Sequence, residues 1–190
     1  TVHDIGDGVL CVEFQTKMNT IGGEVLEGIN KALDIAEADG WKGVVLGNNA
    51  PNFSAGANLA IVIMQAIEQE WDELNFAVRH FQNTVMRLRY SSVPVVAAPH
   101  GLTLGGGCEM SMHTDACMAA AETYIGLVEV GVGVIPGGGG SKEFALRLSD
   151  SFGAEDTWIP KLSERFTTIA TAKTATSAYE AFDLGIFTKD

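Results

Sequence analysis

The sequence has no apolar run close to the 18–20 residues that a membrane-spanning helix needs. Its longest apolar stretches, "IVIMQAI" at 61–67 and "VPVVAAP" at 93–99, read as core elements. Cysteine is scarce: Cys11, Cys108 and Cys117 are odd in number and widely spaced. That spacing gives neither a disulfide framework nor a metal site, and it predicts a reducing compartment, the cytoplasm. Cations are scarce too. Twelve Lys and Arg stand against 24 Asp and Glu, a net charge of −12, which excludes general nucleic-acid binding because phosphates must be neutralised. The acids are dispersed and form no tail. The N-terminus lacks the basic-then-apolar order of a secretion signal and reads as a cut from a longer chain. No repeat, low-complexity segment or internal linker is visible, so the 190 residues are expected to form one domain.

The chain has ample apolar residues, 46%, in short segments of alternating type. "GDGVLCVEF" at 6–14 reads as a strand and "GEVLEGINKALDIAEADG" at 23–40 as a helix. In that helix Val25, Leu26, Ile29, Ala32, Leu33 and Ala36 recur at helical spacing before a stop at Gly40. "GVVLGN" at 43–48 is a short buried strand, and "APNFSAGANL" at 50–59 is a loop of small residues. A long helix is predicted over roughly 66–90, with a stripe of Leu74, Val78, Phe81, Val85 and Leu88. "VPVVAAPHG" at 93–101 reads as one strand, followed by a short helix over about 106–113. "DACMAAA" and "YIGLVEV" are expected strands. "IPGGGGSKEFALRL" at 135–148 is a glycine turn leading into a helix. The tail, 163–185, reads as two helices, the second with a Ser cap and a Gly stop. Strands alternating with helices indicate an α/β domain.

Two glycine-rich turns open helices. Backbone N–H groups at a helix start are unpaired and carry partial positive charge, so "LGGG" before residue 108 is a natural anion site, although a tight strand-to-helix turn explains it equally well. Contiguous glycines do not fit a G-x-G-x-x-G fingerprint, and no Gly-Lys-Ser/Thr follows, so neither a dinucleotide fold nor a P-loop is indicated. Glu109 follows Gly106 by three residues and shares its helix face; alone, it reads as a first-turn acid complementing the helix dipole. "FSAGANL" at 53–59 is a second loop able to present N–H groups. Glu129 interrupts an apolar run, where an acid is either functional or on an exposed strand edge.

In this order, "FSAGANL", "GLTLGGGCEM", "VEVGVGVIPGGGG" and "SAYEAFDLG" resemble the enoyl-CoA hydratase/isomerase (crotonase) family over about residues 5–187. "KMNTIGGEVLEGINKAL" at 17–33 resembles the family's Asn-containing first helix region. The form "GLVEVGVGVIPGGGGSKE" is similar to hydratase regions of multifunctional fatty-acid oxidation proteins, which carry a 3-hydroxyacyl-CoA dehydrogenase on the same polypeptide. The resemblance implies a crotonase-like ββα superhelix and an acyl thioester of coenzyme A as substrate, with no metal or organic cofactor. It implies an oxyanion hole from the amides of Ala57 and Gly106, and two catalytic glutamates, Glu109 and Glu129. It places Ala55, Asn58, Leu59, Gly105 and Gly137 in substrate-binding loops. Asn58 stands where the family commonly has Asp. The chain stops soon after "FDLGIFTKD", where related proteins continue into helices that close the pocket and build trimers. It is thus expected to be a piece of a longer, trimer-forming polypeptide. Lys17, Lys142, Arg147 and Lys173 are candidates for the coenzyme phosphates, or simply solvated cations. His100, His113 and Cys108 match no family role, and each is expected to be structural. The activity implied is hydration of 2-trans-enoyl-CoA in β-oxidation. A double-bond isomerase, or a non-catalytic acyl-CoA-binding domain, is the alternative.

Overall fold

The computed structural model describes residues 1–188. Five strands form the main sheet in the order β1 (Val2–Asp4), β2 (Val9–Glu13), β3 (Gly43–Gly47), β4 (Val95–Ala97), β6 (Ala116–Cys117). Only β1 runs antiparallel, pairing Val2 with Val12; the other neighbours are parallel. A second, two-stranded parallel sheet pairs β5 (Gly101–Leu104) with β7 (Thr123–Gly126). Parallel neighbours need crossovers, and the helices supply them.

The first helix, α1 (Gly23–Ala38), buries Leu26, Ile29, Ala32, Leu33 and Ala36 against β2 and β3, as its periodicity requires. With Val44, Leu46, Val95, Phe53, Val85 and Leu88 they form the larger core. Full burial of each large apolar side chain is worth about 1.5–3 kcal/mol. A smaller core gathers Cys108, Met112, Ile125, Leu127 and Phe144 with the C-terminal Ala181, Leu184 and Ile186. The two cores meet along α4 (Gly106–Met112), all seven of whose residues are buried.

Four sequence expectations change. The helix over 66–90 is two helices, α2 (Leu59–Ile67) and α3 (Trp71–Arg89), broken where Gln69 takes a left-handed φ of 58°. The apolar run at 61–67 is not core: α2 buries no residue, and Ile67 is 73% exposed. Composition signals burial only when a second layer covers the element, and α3, which packs along this helix, leaves all of its residues at least partly exposed. The strand at 93–101 is two, because the chain leaves one sheet after Ala97 and enters the other at Gly101. The strand expected at 124–130 ends at Gly126, and Glu129 instead opens a 3-10 helix, Glu129–Val132. Downstream lie α5 (Gly140–Asp150), α6 (Ile159–Ala170) and α7 (Ala178–Asp183). In α7 the Ser177 hydroxyl caps by accepting from the Glu180 amide at 3.1 Å, and Gly185 follows at φ 74°.

Candidate active site

The three glycines before Cys108 are a joint between β5 and α4. Gly105 has φ 52° and ψ −118°, a backbone open to glycine and strained for other residues. A Cβ there would also stand 3.2 Å from Glu129 Oε1. The turn therefore brings the Glu129 carboxyl directly against the start of α4. Gly106 is the first helical residue, so its N–H has no intrahelical acceptor.

The loop at 53–58 is fastened to this joint. The Leu104 amide donates to Ser54 O at 2.9 Å, and Ser54 Oγ donates to Asn19 O at 2.7 Å. The Gly56 amide donates back to Ser54 Oγ at 3.1 Å, and Gly56 O accepts from Ile21 at 2.8 Å. Ala57 is thus held beside Gly106: a Cβ on Gly106 would lie 3.6 Å from Ala57 N, and one on Gly56 would lie 3.3 Å from Gly106 N. The amides of Ala57 and Gly106 thus lie close together, and neither donates within the hydrogen-bond network of the described residues. The Phe81 ring from α3 closes one side, 3.2 Å from the Gly106 Cβ position.

One turn further, Glu109 is buried. Its Oε1 accepts from the Gly140 amide at 2.9 Å. Gly138 packs directly on Glu109 Oε2 and on the Phe81 ring, leaving no room for a Cβ. Burial raises the Glu109 pKa, and the amides of Gly140, Gly138 and Gly139 oppose that rise by stabilising the anion. The second glycine turn is therefore a cradle for a carboxylate. Glu129 has the contrasting environment. Both its carboxyl oxygens are buried without a hydrogen-bond partner among the described residues. Burial, and secondarily the charge of Glu109, push its pKa up to about 7. Two neighbouring acids thus have unlike surroundings, Glu109 amide-bound and Glu129 without a partner among the described residues.

Of the other expected substrate contacts, Asn58 caps α2, its Oδ1 accepting from the Ala60 amide at 3.2 Å, and Leu59 begins that helix. The Ala55 amide donates to Met18 O at 3.1 Å. The Gly137 carbonyl accepts from Gln82 at 2.7 Å, so its three followers, not Gly137 itself, face Glu109. Among the candidate cations, Lys17 is exposed and Lys173 stands 3.9 Å from Glu180. Lys142 and Arg147 are committed elsewhere. Both bind the fully buried Glu143, at 2.7 and 3.2 Å, together with Arg89. His100 bridges Ala50 O at 2.8 Å, a structural link. Burial pushes the Cys108 thiol well above its ordinary range, which leaves it protonated and unreactive. Among the described residues no group of three or more His, Cys, Asp or Glu is placed to share a metal, and no helix is long and apolar enough to cross a membrane.

Sequence reasoning missed Ser54, Asn19, Phe81 and the Gly138–Gly140 amides. Ser54 and the glycines were visible in small-residue runs, whereas Phe81 looked like any other member of an apolar stripe.

His113 is buried, with Nδ1 2.6 Å from Glu109 O and Nε2 2.9 Å from Lys142 Nζ. Desolvation lowers its pKa to about 4. The unfolded chain takes up a proton near pH 6.5 while the folded one does not, so this group costs stability as pH falls from 6.5 towards 4. Glu109 and Glu129, with raised pKa values, act in the opposite sense. The contribution of His113 therefore emerges by difference. Between pH 7 and pH 5, wild type should lose about 2 kcal/mol relative to His113→Asn in urea unfolding. Equal pH responses would refute a neutral buried imidazole.

A family model for enoyl-CoA hydratase/isomerase matches residues 4–162. The chain is 44% identical over 183 residues to a probable 3-hydroxyacyl-CoA dehydrogenase of Bacillus subtilis, covering 96% of this chain and 23% of that protein. It is 36% identical over 132 residues to a putative fatty acid oxidation complex trifunctional enzyme of Rickettsia felis, covering 70% and 18%. The chain thus spans less than a quarter of the length of these curated relatives. Among solved structures, an enoyl-CoA hydratase from Polaromonas superposes with a TM-score of 0.82 at 24% identity, over 98% of this chain and 68% of that one. An enoyl-CoA hydratase from Bacillus anthracis gives 0.79 at 26% identity, over 98% and 67%. The crotonase fold inferred from the motif order is the fold observed, and the chain belongs to the enoyl-CoA hydratase/isomerase family.

Proposed function

We propose that this chain adds water in the syn sense across the double bond of a 2-trans-enoyl-CoA, giving a 3-hydroxyacyl-CoA. The observation that carries this reading is the unlike pair of acids near two adjacent amides that donate to nothing among the described residues. A thioester carbonyl oxygen seated on the Ala57 and Gly106 N–H groups would gain charge as an enolate forms, and preorganised donors stabilise such charge strongly. Glu109, whose anionic form the glycine amides stabilise against burial, would accept a proton from the water that attacks the β-carbon. Glu129, bare and holding its proton near neutrality, would deliver one to the α-carbon. Atoms balance: hydroxide goes to Cβ and a proton to Cα. The proton left on Glu109 returns to Glu129 between turnovers, so the pair titrates as a unit.

An isomerase needs one proton shuttle, for which Glu129 suffices. An elaborately held second acid favours the hydratase over the isomerase or a merely binding domain. The reading extends to a β-oxidation role on a polypeptide that also carries a dehydrogenase, in line with the relatives' names. It also extends to a trimer-based assembly: Ile67 of α2 and Phe166 of α6, 73% and 70% exposed, suit surfaces that further elements or subunits cover. Three free thiols fit the cytoplasm.

The test follows the absorbance of the conjugated enoyl thioester in crotonyl-CoA, using the full-length polypeptide. Wild type should consume it without added cofactor. Glu109→Gln, which keeps shape but loses the base, should lower kcat about 10²–10⁴-fold. A full-length protein that shifts a 3-enoyl-CoA double bond but does not hydrate crotonyl-CoA would overturn the hydratase reading.

A further inference from the structure

We propose that His113 is a positioning residue that sets Glu109 for reaction by fixing both its main chain and the glycine cradle that holds its carboxylate. This rests on the hydratase reading of the same site. His113 ends α4, four residues after Glu109, and its ring is buried. Nδ1 meets Glu109 O at 2.6 Å. Nε2 meets Lys142 Nζ at 2.9 Å. An ammonium can only donate, so Nε2 is the acceptor and the proton sits on Nδ1, which therefore donates to Glu109 O. The same ring lies against the second turn: a Cβ on Gly139 would come within 2.7 Å of His113 Cε1. The Gly139 carbonyl in turn accepts from the Glu143 amide at 2.9 Å, tying the cradle to α5.

The charged groups facing this imidazole come from three helices. Lys142 and Glu143 lie on α5, with Glu143 Oε1 3.4 Å from Nε2. Arg89 reaches Glu143 from α3, and Arg147 reaches it at 3.2 Å from one turn along α5. Glu109 lies on α4 itself. Glu143 is fully buried among these cations. Burial by itself would raise its pKa, but the Lys142 hydrogen bond and the surrounding positive charge bring it below the ordinary carboxylate range. Glu143 anchors Lys142 at 2.7 Å, Lys142 fixes the tautomer of His113, and His113 spaces Glu109 from Gly138–Gly140. Outer partners that orient a reacting ligand commonly matter by about 10–100-fold in metal sites, and a cradled carboxylate depends on the same geometry.

Two polar substitutions separate positioning from filling. Asn places its N–H₂ where Nδ1 stands, and Gln places it near Nε2. Gln matches the imidazole volume better. If His113 only fills space, His113→Gln outperforms His113→Asn. If it positions Glu109, the order reverses. We expect His113→Asn to keep kcat for crotonyl-CoA within about threefold, and His113→Gln to lower it about 10–100-fold with KM changing less than about threefold. Loss of cradle donors raises a carboxyl pKa. The limb of the kcat–pH profile that needs ionised Glu109 should therefore move to higher pH in His113→Gln, and the Glu109 carboxyl ¹³C titration should move with it. Thermal melting confirms that both variants are folded. An unmoved Glu109 carboxyl titration in folded His113→Gln, or equal activity in the two variants, overturns the proposal. A wild type that fails to hydrate crotonyl-CoA while the Glu109 signal still moves overturns the hydratase reading and supports the positioning role.

Discussion

Glu129→Gln should abolish hydration and, at the same time, make the protein more stable. Glutamine has the size of glutamate but no proton to deliver to the α-carbon. Positioned acid–base groups contribute about 10²–10⁴-fold, and a loss of that size is expected in kcat. Acyl-CoA binding should change little, since glutamine keeps the shape of glutamate and the proposed carbonyl contacts come from the amides of Ala57 and Gly106. The stability gain follows from the same burial that makes the group useful. The pKa of Glu129 is raised to about 7. The folded state therefore holds a proton that the unfolded chain releases above about pH 4.5. Stability from this group is fully present below the unfolded value and is lost as pH rises through 7. At pH 8 wild type buries an anion whose two oxygens lack partners. Gln removes that charge, and an unfolding free energy higher by about 1–3 kcal/mol is expected there, vanishing near pH 4. Urea titrations at the two pH values, beside crotonyl-CoA assays, would check both halves. A Gln variant that keeps wild-type hydration would remove Glu129 from the mechanism.

Gly106→Ala should be nearly as damaging to turnover, for a steric reason. Its methyl would stand 3.6 Å from Ala57 N and 3.2 Å from the Phe81 ring, in the space beside the two amides. The helix itself tolerates alanine, so the loss should fall on kcat. Removing one oxyanion donor costs about 10²–10³-fold, or about 2.7–4 kcal/mol, and blocking the approach to two should reach the upper part of that range. The fold should survive, because Phe81 need give only a few tenths of an ångström. Near-normal melting with kcat reduced at least a hundredfold is the expected result. A kcat close to wild type would show that the reacting oxygen does not sit on these amides.

The glycine cradle and His113 show why a site can be recognised before it can be explained. The acids at 109 and 129, and the loops at 53–59 and 105–107, were legible because each needs a specific residue type in a short stretch. The partition of proton affinity between the acids was not. It depends on Gly140 reaching Glu109 at 2.9 Å across 31 residues, and on the Glu129 carboxyl having no partner from another of the described residues. Lys142 and Arg147 looked available for phosphates because a sequence does not show that Glu143, one residue from the first and four from the second, is buried and needs them.

The sequence alone determined the α/β alternation, α1 with its buried face, the turn-then-helix character of both glycine runs, and the family. Each is encoded within one helix length, where spacing and backbone permissiveness act directly. Only the tertiary structure decided that the apolar run at 61–67 lies outside both cores, that Gln69 breaks the long helix, and that Glu129 leaves the strand for a 3-10 turn. The structure also decided that one carboxyl is clothed and the other bare. Those outcomes turn on which distant segment arrives to cover or pair a group, and burial and proton affinity belong to that encounter, not to any residue taken with its chain neighbours.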